Sequence, residues 1–534
     1  MRRSDTPAPV LAASGLASPR VELLVLLAVW LFFLISALRT LGPDTVYTNF
    51  TSDCAIPILM ANDDRPITVF DTYYYAADRY GSWPFLIAKW LHQNAGIYWT
   101  DQSIHYAKTI WVFLGLLMLA ALNARAAPAV LVSGLIALCL EPTSVRLMFD
   151  VGQVYAWQLP ALLLAWFCLR HLLAQQIRVH FWSVSFYLSA FFAIWLSVAS
   201  APLLGVLVTV EALRSHFVFQ KRISGRRIGL ALLLLLAGTA SEFLLKKNYH
   251  RHSLKHFGNE FKTAMALDFG YLHENLLVNW HNLVQFKMSF LIIVALCFVA
   301  GIVGLLLYAR IIDRRLLTRV MSFFEDETVT MIVALTAMAA TSFLLTVSVN
   351  HVRLNGYNVR FHALTYLFAA TAGLLTIYLA IRVSANRSGA TRPVLAVVVV
   401  GALIWLGVEF PRRSLSEAYK LDRQTALALS QKAPGSILMG GYWETYLLAA
   451  LQPTNTMTPL PMEGVLNRMP WTPAMLHDSR QVVIEYRVSG VAQKDSLPPN
   501  ELRQYGNLLK LQEARFCENG PYAFALYVNE GSKP

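Results

Sequence analysis

Apolar stretches long enough to cross a lipid bilayer recur from about residue 21 to residue 408, and this restricts the fold more than any other feature. A spanning helix needs about 20 apolar residues, because each residue rises 1.5 Å through a hydrocarbon layer about 30 Å thick. Candidate spans lie at about Val21–Leu41, His105–Ala124, Pro128–Leu140, Val154–Leu173, Trp182–Val198, Ala201–Leu213, Ile228–Leu245, Met288–Ile311, Val329–Val347, Ala363–Ile381 and Pro393–Val408. The third is short and ends at Glu141–Pro142. The fifth and sixth are separated only by the region around Ser200–Pro202, which makes them a tight hairpin or a broken helix pair. Hydrophobic residues make up 56% of the 534 positions and charged residues 14%, the balance of an integral membrane protein and not of several soluble domains.

Charge supplies the orientation. The net charge of +13 would suggest nucleic acid in a soluble chain, but here the Lys and Arg residues cluster in short loops between apolar segments. Arg125, then Arg170, His171 and Arg178, then Arg214, Lys221, Arg222, Arg226 and Arg227, then Arg310, Arg314, Arg315 and Arg319, then Arg382, Arg387 and Arg392 follow the even-numbered spans. Basic residues accumulate on the cytoplasmic side, facing anionic lipid heads. The expectation is a polytopic α-helical membrane protein of about 11 transmembrane helices. Its partners are membrane lipids and not nucleic acid. Residues 1–20, with Arg2, Arg3 and Arg20, read as a disordered cytoplasmic tail; no small-residue cleavage site follows, so the first span reads as uncleaved. Residues 21–410 then form the transmembrane domain, with an external loop at 43–104. Residues 411–534 form a small extracytoplasmic α/β domain. In it Ser436–Gly440 and Gln481–Tyr486 read as strands, Tyr442–Leu451 as a helix, and Tyr522–Val528 as a further strand.

The long loop holds most of the candidate chemistry. Tyr47–Trp90 carries Asp53, Asp63, Asp64, Asp71 and Asp78, with Tyr73, Tyr74, Tyr75, Tyr80, Trp83 and Trp90. A simple connection needs only a few residues, so a loop of this length has its own structure and task. Asp53, in NFTSDCAIPIL, reads in two ways. It is a helix N-cap, or an acid held against apolar surface whose raised pKa suits it to accept a proton. Asp71 and Asp78 are the reserves, seven apart and on one face if their segment is helical. Asp63–Asp64 before Arg65–Pro66 reads as a turn. Tyr74 and Trp83 are candidates for stacking on a sugar, or members of an interfacial aromatic belt. Glu141, Arg146 and Asp150 read as an ion-paired turn, and Glu242 as a carboxylate in an apolar span with Lys246 one turn away. Of the five cysteines, Cys54 and Cys517 fall on the same assigned side, and a disulfide or two thiols fit equally. No CxxC pair suggests zinc.

An acidic residue in the first external loop, a multi-spanning core and an external C-terminal domain resemble the GT-C superfamily of membrane glycosyltransferases. Within it, the bacterial mannosyltransferase and aminoarabinose-transferase kind is most similar. RLNGYNVRFHAL resembles the Arg–aromatic element at the outer mouth of a late helix, and SILMGGYWETYLL the opening of the C-terminal domain. The resemblance implies a polyprenyl-phosphate-linked sugar donor, a lipid or glycan acceptor of the cell envelope, and the outer face of a bacterial inner membrane. It implies Asp53 as base, with Asp71 and Asp78 in reserve, and cations for the donor phosphate. Arg360, Arg353, Lys246 and Arg251 are the candidates, the last two within the basic run KKNYHRHSLKH. The sequence names no cofactor, and a divalent cation is compatible with this chemistry. The alternatives are a transporter or flippase of lipid-linked saccharides, and a non-enzymatic assembly protein. A transporter would carry charged or broken helices near the midplane, in repeated halves.

Overall fold

The computed structural model describes residues 27–28, 30–32, 34–35, 52–75, 77–123, 126–139, 152–174, 178–219, 225–253, 273–274, 277–278, 326–349, 359–385, 417–454, 456–465, 467–486 and 498–530. The chain runs through α1 (Ser52–Ala61), the short strands β1 (Tyr73–Tyr74) and β2 (Ala77–Gly81), and α2 (Trp83–Ala95). Then come α3 (Asp101–Ala121), α4 (Ala127–Cys139), α5 (Tyr155–Ala174), α6 (Val179–Leu196), α7 (Ser200–Phe219), α8 (Gly225–Ser253), α9 (Glu327–Val347) and α10 (Ala363–Ala385).

Among the described residues α3, α5, α6, α8 and α9 are long and apolar enough to cross a membrane. The protein is a multi-pass helical membrane protein. Eight of the eleven sequence-derived spans coincide with α3 to α10, while those at 288–311 and 393–408 and most of 21–41 lie outside the described residues. The fifth and sixth spans are separate helices, joined by a three-residue turn before Ser200. Burial sorts the bundle. α5 is enclosed on almost every side and is the central post. α8 turns Leu233, Leu236, Phe243 and Leu244 outward, as a helix facing lipid tails does.

Two of the arginines that read as topology signals have a second job. Arg170 of α5 and Arg214 of α7 both contact Glu211, at 3.0 and 3.4 Å, and Arg214 reaches Glu327 of α9 at 2.9 Å. Trp166 Nε1 donates to Glu211 at 2.7 Å. Two acids and two bases thus tie three helices together at the ends away from the first loop. A buried charge must be paired to be tolerated, and here each one is.

The C-terminal domain begins, among described residues, with α11 (Glu417–Lys432) and continues β3 (Ile437–Gly440), α12 (Tyr442–Ala450), β4 (Thr458–Pro461), α13 (Thr472–Asp478), β5 (Gln481–Glu485), β6 (Glu501–Gln504), β7 (Asn507–Asn519) and β8 (Tyr522–Asn529). The sheet order is β4-β3-β5-β8-β7-β6. β4, β3 and β5 are parallel; β5–β8, β8–β7 and β7–β6 are antiparallel. Tyr505 and Gly506, both with positive φ, make the two-residue turn between β6 and β7.

Candidate functional site

The first loop is a closed framework and not a run of turns. Asp63 Oδ2 accepts from Arg65 Nη2 at 2.6 Å, Tyr75 O–H at 2.6 Å and Lys89 Nζ at 2.8 Å. Asp71 Oδ1 accepts from Lys89 at 2.9 Å and Tyr75 at 3.0 Å, while its Oδ2 takes the Thr68 N–H at 2.7 Å and hydroxyl at 2.9 Å. Two carboxylates meet two cations, so the group is neutral as a whole. Burial pushes Asp63 upward, but the bonds from Arg65, Lys89 and Tyr75 outweigh it and hold the carboxyl below its usual value. The Tyr75 phenol is driven well above its usual value by burial and by the two aspartates beside it. Lys89 has 1% of its side chain exposed. It sits in WPFLIAKWLHQNA, on the inward face of α2, while Ile87 and Trp90 are exposed.

Three anchors hold this framework in place. Against α8, Tyr73 O–H donates to Glu242 Oε1 at 2.9 Å, and Tyr249 packs on Tyr73 and Phe70 with ring centroids 5.0 and 5.9 Å apart. Glu242 and Tyr249 are seven residues apart, two turns, so they share one helix face. Against α6, Trp195 Nε1 donates to Thr72 O at 2.9 Å, and Trp83 Nε1 to Phe192 O at 3.2 Å. Gly81 lies against the Trp195 backbone, where a Cβ has no room. Against the C-terminal domain, Trp471 covers the Arg65 guanidinium and stands edge-on to Tyr75 and Phe70, at 5.0 and 5.4 Å. Tyr419 of α11 donates to the Asp101 carboxylate, and α12 packs on α1. The loop and the C-terminal domain therefore lie on one side of the bundle.

The expected residues fall as follows. Asp53 stands in the first turn of α1, which starts at Ser52; its side chain lies outside the described residues. Pro57, four residues on, has no N–H to give the Asp53 carbonyl, which loosens that turn. Asp71 is buried and fully hydrogen-bonded, so its chemistry is spent inside the framework. Asp71 and Asp78 do not share a helix face: Asp71 lies in the 3-10 turn Val69–Thr72 and Asp78 in β2, across a hairpin. Tyrosine-rich β-forming sequence wins there over the helical reading. Asp63 is not a simple turn residue, for the reasons above. Tyr74 is packed edge-on against Tyr80 and Phe85 and is buried; Trp83 stands edge-on to Trp111 and tilted to Phe192 and is half-buried. The basic run begins as helix and not loop: α8 continues to Ser253, with Lys246 half-buried and Arg251 exposed. Arg360 lies in the 3-10 turn Val359–His362 that leads into α10, its side chain outside the described residues. Arg353, Glu141, Arg146 and Asp150 lie outside them altogether. Cys54 and Cys517 are both buried thiols, not joined in a disulfide. Among the described residues no three His, Cys, Asp or Glu side chains converge to hold a metal.

Lys108 was not singled out by sequence reasoning. It lies on α3 two turns from the loop-side end, 0% exposed, with Nζ donating to Gln153 O at 2.5 Å and 6.0 Å from the Trp157 ring centre. The Trp157 indole N–H beside it is buried without a hydrogen-bond partner. A lysine inside an apolar span is costly and marks a functional path by default, and that signal was present in the sequence.

These features define a multi-pass helical membrane protein whose first loop is seated on two helices and capped by a C-terminal sheet domain. No protein-family model matches the chain, and no curated protein does. Among solved structures it is similar to ArnT from Cupriavidus metallidurans bound to undecaprenyl phosphate, at 12% identity over 97% of this chain and 100% of that one, with a TM-score of 0.45. It is also similar to the oligosaccharyltransferase AglB from Archaeoglobus fulgidus in complex with an inhibitory peptide and a dolichol-phosphate, at 12% identity over 87% of this chain and 70% of that one, with a TM-score of 0.42. Both are GT-C glycosyltransferases.

Proposed function

We propose that this protein is a glycosyltransferase that moves a sugar from a polyprenyl-phosphate-linked donor to a lipid or glycan acceptor at the outer face of a bacterial inner membrane. Its eleven crossings would put the N-terminus in the cytoplasm and residues 411–534 outside. One observation carries the reading. α1 is buried from Cys54 to Ala61 between the C-terminal domain and the bundle, so the turn bearing Asp53 stands at their junction on a rigid support. Precise placement of a catalytic carboxylate requires such a support. The shared side of loop and C-terminal domain also requires an even number of crossings between them, as ten crossings would give.

In this reading the Asp53 carboxylate takes the acceptor hydroxyl proton as that oxygen attacks the anomeric carbon. The bond from that carbon to the phosphate oxygen breaks, and the polyprenyl phosphate leaves as an anion. Arg360, with Arg353, Lys246 and Arg251, supplies the positive charge that holds the phosphate. Lys108 joins them, because it brings a buried cation to the loop-side end of the bundle. The polyprenyl tail lies along the apolar helices. Asp71 acts through the framework that supports α1 and not on substrate.

The test is transfer by the purified full chain from undecaprenyl-phosphate-linked pentose and hexose, read as release of undecaprenyl phosphate. Asp53→Asn is expected to lower turnover by a factor of at least a hundred, in the range typical of general-base catalysis. Undiminished turnover in that variant removes Asp53 as the base; no release with either sugar by the unaltered chain removes the donor class.

A further inference from the structure

A second group of buried acids lies in the C-terminal sheet. From β3 the chain runs through α12 to β4 on one flank and returns through α13 to β5 on the other. The gap beyond the carboxyl ends of β3 and β5 is therefore where the strand order reverses, the place where open α/β sheets bind ligands. It is formed by Gly440 and Gly441, the first turn of α12, and Glu485 at the end of β5. Glu485 is 2% exposed, and no side chain among the described residues donates a hydrogen bond to either carboxylate oxygen; only the Gly441 backbone amide bears on them. Thr445 Oγ1 is also buried and unpaired. A Cβ on Gly440 would meet Glu485 Oε2 at 2.8 Å and Thr445 Oγ1 at 3.2 Å, so both oxygens are aimed at one point. A Cβ on Gly441 would meet Glu444 Oε2 at 2.5 Å. Only glycines leave these oxygens room.

We propose that this crevice binds a divalent cation of the calcium class, held by the Glu485 and Glu444 carboxylates and the Thr445 hydroxyl, with water completing the shell. Buried carboxylates that are not paired with a base coordinate a metal or stay protonated. The donors are all oxygen, which selects a hard cation, and their irregular placement suits calcium better than the strict octahedron of magnesium. With two carboxylates the site is open and weak, in the range of about 10⁻⁴–10⁻³ M found in extracellular modules. It needs no sugar chemistry.

Asp422 of α11, hydrogen-bonded by Tyr522 of β8 at 2.7 Å, adds another acid to the surroundings.

Terbium is a direct probe, since Tyr442 and Trp443 open the same helix that carries Glu444 and Thr445 and so offer rings to sensitise it. In the chelator-treated full chain in detergent, terbium emission excited through these rings should appear at pH 7.5. Millimolar calcium should quench it more than equal magnesium does. Glu485→Gln should abolish it, and Glu444→Gln should weaken it by about tenfold. Calcium should also raise the melting temperature. Identical emission and identical calcium shifts in the unaltered chain and in Glu485→Gln overturn the proposal and leave a protonated acid beside trapped water. If Glu485→Gln does not fold, Glu444→Gln and Thr445→Val carry the same comparison.

Discussion

Two buried acid groups in this protein have opposite surroundings. In the first loop Asp63 and Asp71 share Lys89, Arg65, Tyr75 and Thr68, and every carboxylate oxygen has a partner. In the C-terminal sheet Glu485 is as deeply buried, with Glu444 rather than a base beside it. The difference separates framework from site. A closed, neutral group fixes geometry and has nothing left with which to bind. An open group is strained until something arrives. Burial is alike in the two groups; their hydrogen-bond partners differ.

The largest expected effect is to break the closed group. Lys89→Met leaves two buried carboxylates with one half-exposed arginine, and such an uncompensated pair costs about 3–5 kcal/mol. Denaturant unfolding of the purified chain measures it, and an unaltered midpoint would mean that the loop is held by its anchors alone. Next comes pH, where the two groups differ in sign. The Asp63 carboxyl lies below its ordinary value of 3.8, so its contribution is fully present above that pH and is lost as pH falls through the lowered value. The Glu485 carboxyl is raised from 4.5 to about 8, so the folded state holds an extra proton in that window. Without added cation, stability therefore falls as pH rises from 4.5 to 8, by at most about 1.4 kcal/mol per unit, and levels off above. Melting temperatures against pH should show that slope in the unaltered chain and a flatter one in Glu485→Gln. The smallest effect concerns the cover. Trp471→Ala removes a half-buried ring from Arg65, Phe70 and Tyr75 and should cost about 1–3 kcal/mol. Protease nicking between Asp63 and Tyr75 should rise in that variant; if it does not, Trp471 is not what shields the loop.

Much of the helical frame was legible because a bilayer imposes length and hydropathy on each span. α3 to α10 fall where apolar runs predict them. Helix ends were less legible, because charge stops hydropathy without stopping a helix. Lys246 to Ser253 continue α8, and the clue was Tyr249, two turns along the face that carries Glu242. In the sheet, Ser436–Gly440 and Gln481–Tyr486 were readable as apolar runs. β6 and β7 were not, since their outward charges blur the alternation, although Tyr505–Gly506 is a hairpin signal. The site was the least legible part. Lys89 and Lys108 look like ordinary basic residues until tertiary packing buries them, and the opposing charge of Lys89 comes from Asp63 and Asp71, far along the loop. Hydrophobic neighbours, FLIAK in one case and a spanning segment in the other, were the available hint.

Trp471 lies some four hundred residues after Arg65, the group it covers. During synthesis on the ribosome the loop is made early, and its lid is among the last parts to emerge. For most of translation the guanidinium and its aspartates stand uncovered, waiting for the rest of the chain to be threaded. A nascent chain released before Trp471 is made would hold all of α3 to α10 and still be unfinished where it matters.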